Sequence, residues 1–294
     1  MKSRYLLYIS ITFFFSSCYQ EEDITGEQGI PKYKVEDSSD PTDHFIYGFY
    51  QKYNSFILYK YENVDYMWNM SSILPVNLVR QTERTCLNEG VQFMERAFFK
   101  YYADQFKKDY FPFKILMADS VQVVKSGTLY PNEPATAGIS FMSIGNIREG
   151  ISGISKDSLI YLRGEINAVY WANALYDNDR ITLPEAFWNI SEDYYGINLK
   201  NLDENENIAA PDIDVKKYGF WEQSPESVNP KYYCMAPKQT LDLYQFIKMM
   251  TTHTQAEMEA LIAPYSKLKD KYYLLVNRLK NVYGVDIQAI GNDN

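Results

Sequence analysis

Apolar positions recur at helical spacing in HFIYGFYQKY, directly after Pro41-Thr42-Asp43, and predict a helix capped by Thr42 or Asp43. SFILYKYENV then alternates as a strand would, with Phe56, Leu58 and Lys60 on one side and Ile57, Tyr59 and Tyr61 on the other. VQFMERAFFKYYADQF predicts a strongly amphipathic helix. FKILMADSVQVV reads as a strand, then a turn with room for a second strand. KSGTLYPNEPATAG carries the Gly and Pro of a loop, and ISFMSIGNI reads as another strand. A central helix is predicted over 157–175, capped by Asp157, with Leu159, Leu162, Ile166, Val169, Tyr170 and Ala174 on its apolar face. Residues 176–233 read as irregular, punctuated by Pro184, Pro211, Pro225 and Pro230. Their acidic run Asp203-Glu204-Asn205-Glu206 lacks the spacing and central glycine of a calcium loop, so it reads as a solvated face. The end turns helical again. TLDLYQFIKMM leads to a Thr254–Glu257 capping box, a break at Pro264, and SKLKDKYYLLVNRLKNVY stopped by Gly284. Helices outnumber strands, and the expected class is α+β: helices packed on a small, mixed, twisted sheet.

The start of the chain has a different pattern. Lys2 and Arg4 precede an apolar run, Tyr5 to Phe15, of about eleven residues, shorter than the roughly 20 a membrane span needs. Ser16-Ser17-Cys18 and an acidic stretch follow. The layout predicts a secretory signal over 1–17 with lipid attachment at Cys18, or alternatively a plain signal cut a few residues later. Residues 18–40 are polar and predict a flexible tether, leaving 41–294 as one domain. Loss of Lys2 and Arg4 with the signal lowers the net charge from -9 to -11, which argues against nucleic acid or anionic lipid as the main partner. Cys86 and Cys234 could form one bridge or remain two buried thiols. There are two histidines, His44 and His253, so no local helical pair can hold zinc, and both fit surface or capping roles. The 27 Tyr, 16 Phe and 4 Trp suit an ordinary core, and Trp171, Trp188, Tyr194, Tyr195 and Trp221 are candidates for a ligand platform.

Several segments together resemble the zinc-metallopeptidase lipoproteins of Bacteroidetes, a zincin-like family often encoded beside outer-membrane nutrient importers. PTDHFIYGFYQKYNSFILYKYE, with Asp43, Tyr53 and Asn54, is similar to that family's opening helix and strand. FFKYYADQFKKDYFPFKILMADS resembles its next helix and strand, and DKYYLLVNRLKNVYGVDIQAI its last helix and ending. The acidic residues after Cys18 resemble those that accompany display at the cell surface. The family's active helix carries His-Glu-x-x-His, two histidines that bind one zinc and a glutamate that takes a proton from its water. The corresponding stretch here is YLRGEINAVYW, with Gly164 and Ala168 at the histidine positions and Glu165 at the base. A family segment with a further carboxylate maps to Leu241-Asp242-Leu243-Tyr244-Gln245, where Asp242 remains.

Glu165 and Asp242 are therefore vestigial candidates, and neither zinc nor another cofactor is expected. The leading expectation is a non-catalytic lipoprotein of the outer membrane, exposed at the cell surface, binding peptide, glycan or an importer partner. One alternative is a metal-independent hydrolase pairing Glu165 with Asp242, or Glu185 with Glu192. Another is a purely structural assembly lipoprotein.

Overall fold

The computed structural model describes residues 33–67, 76–125, 128–225 and 229–294. The signal, Cys18 and most of the tether lie outside them. One compact unit runs from Val35 to Asn294.

α1 (Pro41–Tyr53) is capped by Asp40, two residues before the earlier of the expected caps. Asp40 Oδ1 accepts from the Thr42 and Asp43 amides at 2.9 and 3.2 Å. Pro41 can open the helix because the first helical position needs no N–H. Asn54, at φ 54°, closes it. β1 (Phe56–Leu58) follows and is shorter than predicted, with all three residues buried. After α2 (Val64–Met67) and β2 (Val76–Arg80) come α3 (Arg84–Ala97) and α4 (Asp104–Tyr110). The predicted amphipathic helix thus divides in two, with a 3-10 turn over Phe99–Tyr101 between its parts.

β3 (Lys114–Lys125) runs straight through the turn expected near Asp119. It serves two sets of neighbours in succession. Its first half pairs in parallel with β1 and β6 (Phe141–Ile144), and its second half antiparallel with β2 and β4 (Thr128–Glu133). Residues Ile115 to Ala118 are fully buried, as in a strand covered on both faces. β5 (Ala135–Gly138) pairs antiparallel with β6 and closes one side of the order β1-β3-β6-β5. β4 and β5 correct the expected Gly/Pro loop. Pro131 is tolerated because β4 lies at an edge, where a missing N–H breaks no inner ladder. The result is an α+β fold on a mixed sheet.

α5 (Lys156–Val169) is capped by Ser155, whose hydroxyl accepts from the Ser158 amide, rather than by Asp157. It widens into a π-helical turn over Tyr170–Tyr176. Here the aromatic surplus is spent. Phe98 stacks on Phe111 at 5.2 Å and meets Tyr170 edge-on at 5.0 Å. The Tyr102 hydroxyl donates to Asn167 Oδ1 at 2.6 Å and accepts from Trp171 Nε1 at 2.9 Å, tying α5 to the α3 side of the core. Buried Tyr and Trp need such partners for their polar ends.

α6 (Glu185–Asn189) and a series of 3-10 turns make up the irregular middle, which encloses a small core of its own around Leu199, Tyr218, Phe220 and Cys234. α7 (Gln239–Thr252), α8 (Gln255–Ile262), α9 (Ser266–Tyr283) and α10 (Ile287–Asn292) complete the chain. The Thr254–Glu257 capping box and the Gly284 stop form as predicted.

Candidate functional site

α5 presents Glu165 to α7. Glu165 Oε1 lies 2.6 Å from Lys248 Nζ, and Oε2 accepts a hydrogen bond from the Tyr244 hydroxyl. Tyr244 and Lys248 are four residues apart and share one face of α7, so both reach the same carboxylate. Burial raises the Tyr244 hydroxyl far above the ordinary tyrosine value and keeps it a donor. Burial alone would pull Lys248 down. The hydrogen bond and charge of Glu165 more than reverse this, leaving its amine above the usual lysine value.

The positions flanking Glu165 are fixed by how closely the two helices approach. A Cβ on Gly164 would lie 2.3 Å from Thr252 Cγ2, so a methyl of α7 already fills that space. Ala168 is fully enclosed in the core. Zinc of the kind the resemblance implies does not fit. Neither position offers a donor atom, Gly164 has no room for a larger side chain, and Lys248 already answers the charge of Glu165. Among the described residues, no three His, Cys, Asp or Glu side chains converge as a metal site.

Asp242 sits on the other side of α7. Two residues on a helix differ by about 200°, so Asp242 and Tyr244 face opposite ways. Asp242 is fully buried, and its Oδ2 accepts from Lys271 Nζ at 2.7 Å and from the Tyr195 hydroxyl at 2.6 Å. Lys271 also donates to the Gly219 carbonyl at 3.0 Å and to Tyr195 Oη at 3.2 Å. The rings of Phe187, Phe220 and Phe246 stand 4.8 to 5.8 Å from the amine. Asp242 Oδ1 has no partner. Burial raises the Asp242 carboxyl and lowers the Lys271 amine, each against the pull of the other. The expected Glu165–Asp242 pairing is therefore not formed, because α7 stands between the two groups and each has its own lysine. Glu185 and Glu192 are both exposed.

The five aromatic platform candidates do not share an open face. Trp171 and Trp221 are core residues, packed against Tyr102 and Phe246. Trp188 is half-buried between Tyr176 and Phe187. Tyr194 packs on Tyr218, with Lys267 4.2 Å from its ring, and Tyr195 is committed to Asp242. Cys86 and Cys234 are free, buried thiols. His44 bonds Asp37 at 2.7 Å on the surface, and His253 faces the Met249 carbonyl at a helix end.

Sequence reasoning did not find Lys248 or Lys271. Lys271 carried a signal, since it lies in the buried stripe Leu268, Lys271, Tyr272, Leu275, Leu279 of α9. One turn before Glu165, the exposed Tyr161 lines a groove of about 630 Å³ between the start of α5 and the segments around Asn132 and Arg148.

No protein-family model matches the chain, and no curated protein matches it by sequence. Its fold is similar to that of a protein of Bacteroides caccae ATCC 43185, solved by crystallography and described as a "putative zinc-binding metallo-peptidase". The TM-score is 0.51 at 12% identity, over 88% of this chain and 93% of that one. At this identity the likeness is one of overall fold.

Proposed function

We propose that this chain is a non-catalytic, zincin-like lipoprotein, anchored through Cys18 at the outer membrane and exposed at the cell surface, that acts by binding peptide, glycan or an importer partner. The observation that carries the reading is the Lys248 amine on the Glu165 carboxylate. A glutamate that serves as base to a metal-bound water must keep its lone pairs for that proton. Here one oxygen is held by an ammonium and the other by a phenol. The tight approach of Thr252 to Gly164 supports the same conclusion from the side of the missing ligands. Fold and activity are separable, since function resides in sites grafted on a scaffold. The surface anchor rests on the signal pattern and the acidic residues after Cys18.

The test is elemental analysis of the mature chain, purified without chelator or affinity tag and then offered zinc. Substoichiometric zinc and no cleavage of a denatured protein substrate are expected, whereas tight one-to-one zinc would overturn the reading. The intact mass of the membrane-extracted protein tests the anchor, which fails if Cys18 is absent or carries no acyl mass.

A further inference from the structure

The groove beside Tyr161 combines an apolar floor with a polar rim whose hydrogen-bonding capacity is unspent. Pro134, Ile151 and Leu162 contribute to the floor. Tyr161 stands at one side with 51% of its surface exposed, and its hydroxyl makes no hydrogen bond among the described residues. On the rim, Asn132 and Asn146 turn their carbonyl oxygens toward Arg148 Nη2, at 3.5 and 3.3 Å. This engages Nη2, which also donates to the Asp119 carbonyl at 3.0 Å, and leaves both amide NH2 groups without a protein partner among the described residues. Asp157 and Glu149 add two carboxylates, likewise unpaired among the described residues. The rim therefore offers planar side chains of both kinds, donors and acceptors, around an apolar base.

This composition discriminates among ligands. An anion would meet two carboxylates beside a single arginine whose Nη2 is already engaged. A cationic side chain would find those carboxylates on the exposed rim, where screened ion pairs contribute little. A wholly apolar ligand would strip water from the rim amides and carboxylates without replacing their hydrogen bonds. A pyranose ring complements both parts, its C–H face lying on the floor and against Tyr161 while its hydroxyls bond the rim. The volume falls within the roughly 300–1,000 Å³ of small-ligand sites. The geometry points to a carbohydrate-binding groove that takes one or two neutral sugar rings at the end of a glycan. The inference rests on the binding reading above and gives it a ligand class and a place.

The test is saturation-transfer NMR on the mature chain with maltose, cellobiose, lactose, mannose, galactose and N-acetylglucosamine, and with tri-lysine as a cationic probe. At least one sugar is expected to receive saturation. Tyr161→Ala and Asp157→Ala should each weaken its binding about tenfold or more, with unchanged circular dichroism. Both residues are exposed, so neither change threatens the core. Binding of tri-lysine but no sugar, binding of nothing in the panel, or sugar binding indifferent to both variants would each overturn the proposal. Cleavage of a bound disaccharide, seen as new reducing ends, would leave the groove standing and overturn the non-catalytic reading instead.

Discussion

Glu165 and Asp242 are each held by a lysine and a tyrosine, on opposite sides of α7, yet their surroundings differ. Lys248 keeps 34% of its side chain in solvent, whereas Lys271 and Asp242 are completely enclosed. At Glu165 the carboxylate is itself buried, and water reaches the pair only from the side of Lys248. At Asp242 three phenylalanine rings and a tyrosine replace the water, so the cost of burying either charge alone is large and only the partner offsets it. The same chemical trio is thus fully enclosed in one place and open to water only along Lys248 in the other.

The largest effect should come from breaking the enclosed pair. Lys271→Met leaves Asp242 with Tyr195 alone, and we expect a loss of about 3–5 kcal/mol in urea unfolding. Lys271→Met combined with Asp242→Leu should recover most of that loss, because a matched apolar pair carries no uncompensated charge. If the single variant stays within about 1 kcal/mol of the parent, the enclosed pair is no pin and the contrast disappears.

A smaller effect tests the close approach of α5 and α7 at Gly164. Gly164→Ala gains about 1 kcal/mol in helix propensity but must displace the Thr252 methyl, with an expected net cost of about 1–3 kcal/mol. Thr252→Ser removes that methyl and should cancel most of the cost in a double-mutant cycle. Outright stabilisation by Gly164→Ala would show that α7 yields easily at this contact.

How much of this was legible beforehand depends on the range of the interactions. The capping box at Thr254 and the stop at Gly284 are local patterns and form as read, whereas α5 buries Arg163, Glu165 and Asn167 as well as Ile166 and Val169, with Leu159 and Leu162 only half-buried. β3, β4 and β5 were misread because strand identity there is set by partners. A long strand that changes neighbours midway looks like two, and Pro131 on an edge looks like a loop. That Gly164 and Ala168 carry no metal donor could be read from the sequence alone. The lysines that answer the two carboxylates could not, since they come from α7 and α9, far along the chain. Trp171 was misplaced for a related reason. Its type suits a platform, but only the fold shows that Tyr102 takes its N–H inside the core.

The smallest effect concerns the partly exposed trio and sharpens the comparison through pH. The folded amine of Lys248 lies above the ordinary value of 10.5, because Glu165 outweighs its partial burial. A raised folded value means that the contribution is fully present below the unfolded lysine value and is lost as pH rises through the folded one. Wild type should therefore lose stability from about pH 10.5 upward by an increment that Glu165→Gln lacks. Near neutral pH the variant should fall short of wild type by no more than about 1 kcal/mol, as solvent screening at Lys248 requires. Thermal melts of both proteins across that range, compared as a difference, isolate this increment from the tyrosines that titrate nearby. Parallel curves for the two proteins would mean that Lys248 and Glu165 do not interact in solution, and the neutralised-base argument would lose its main support.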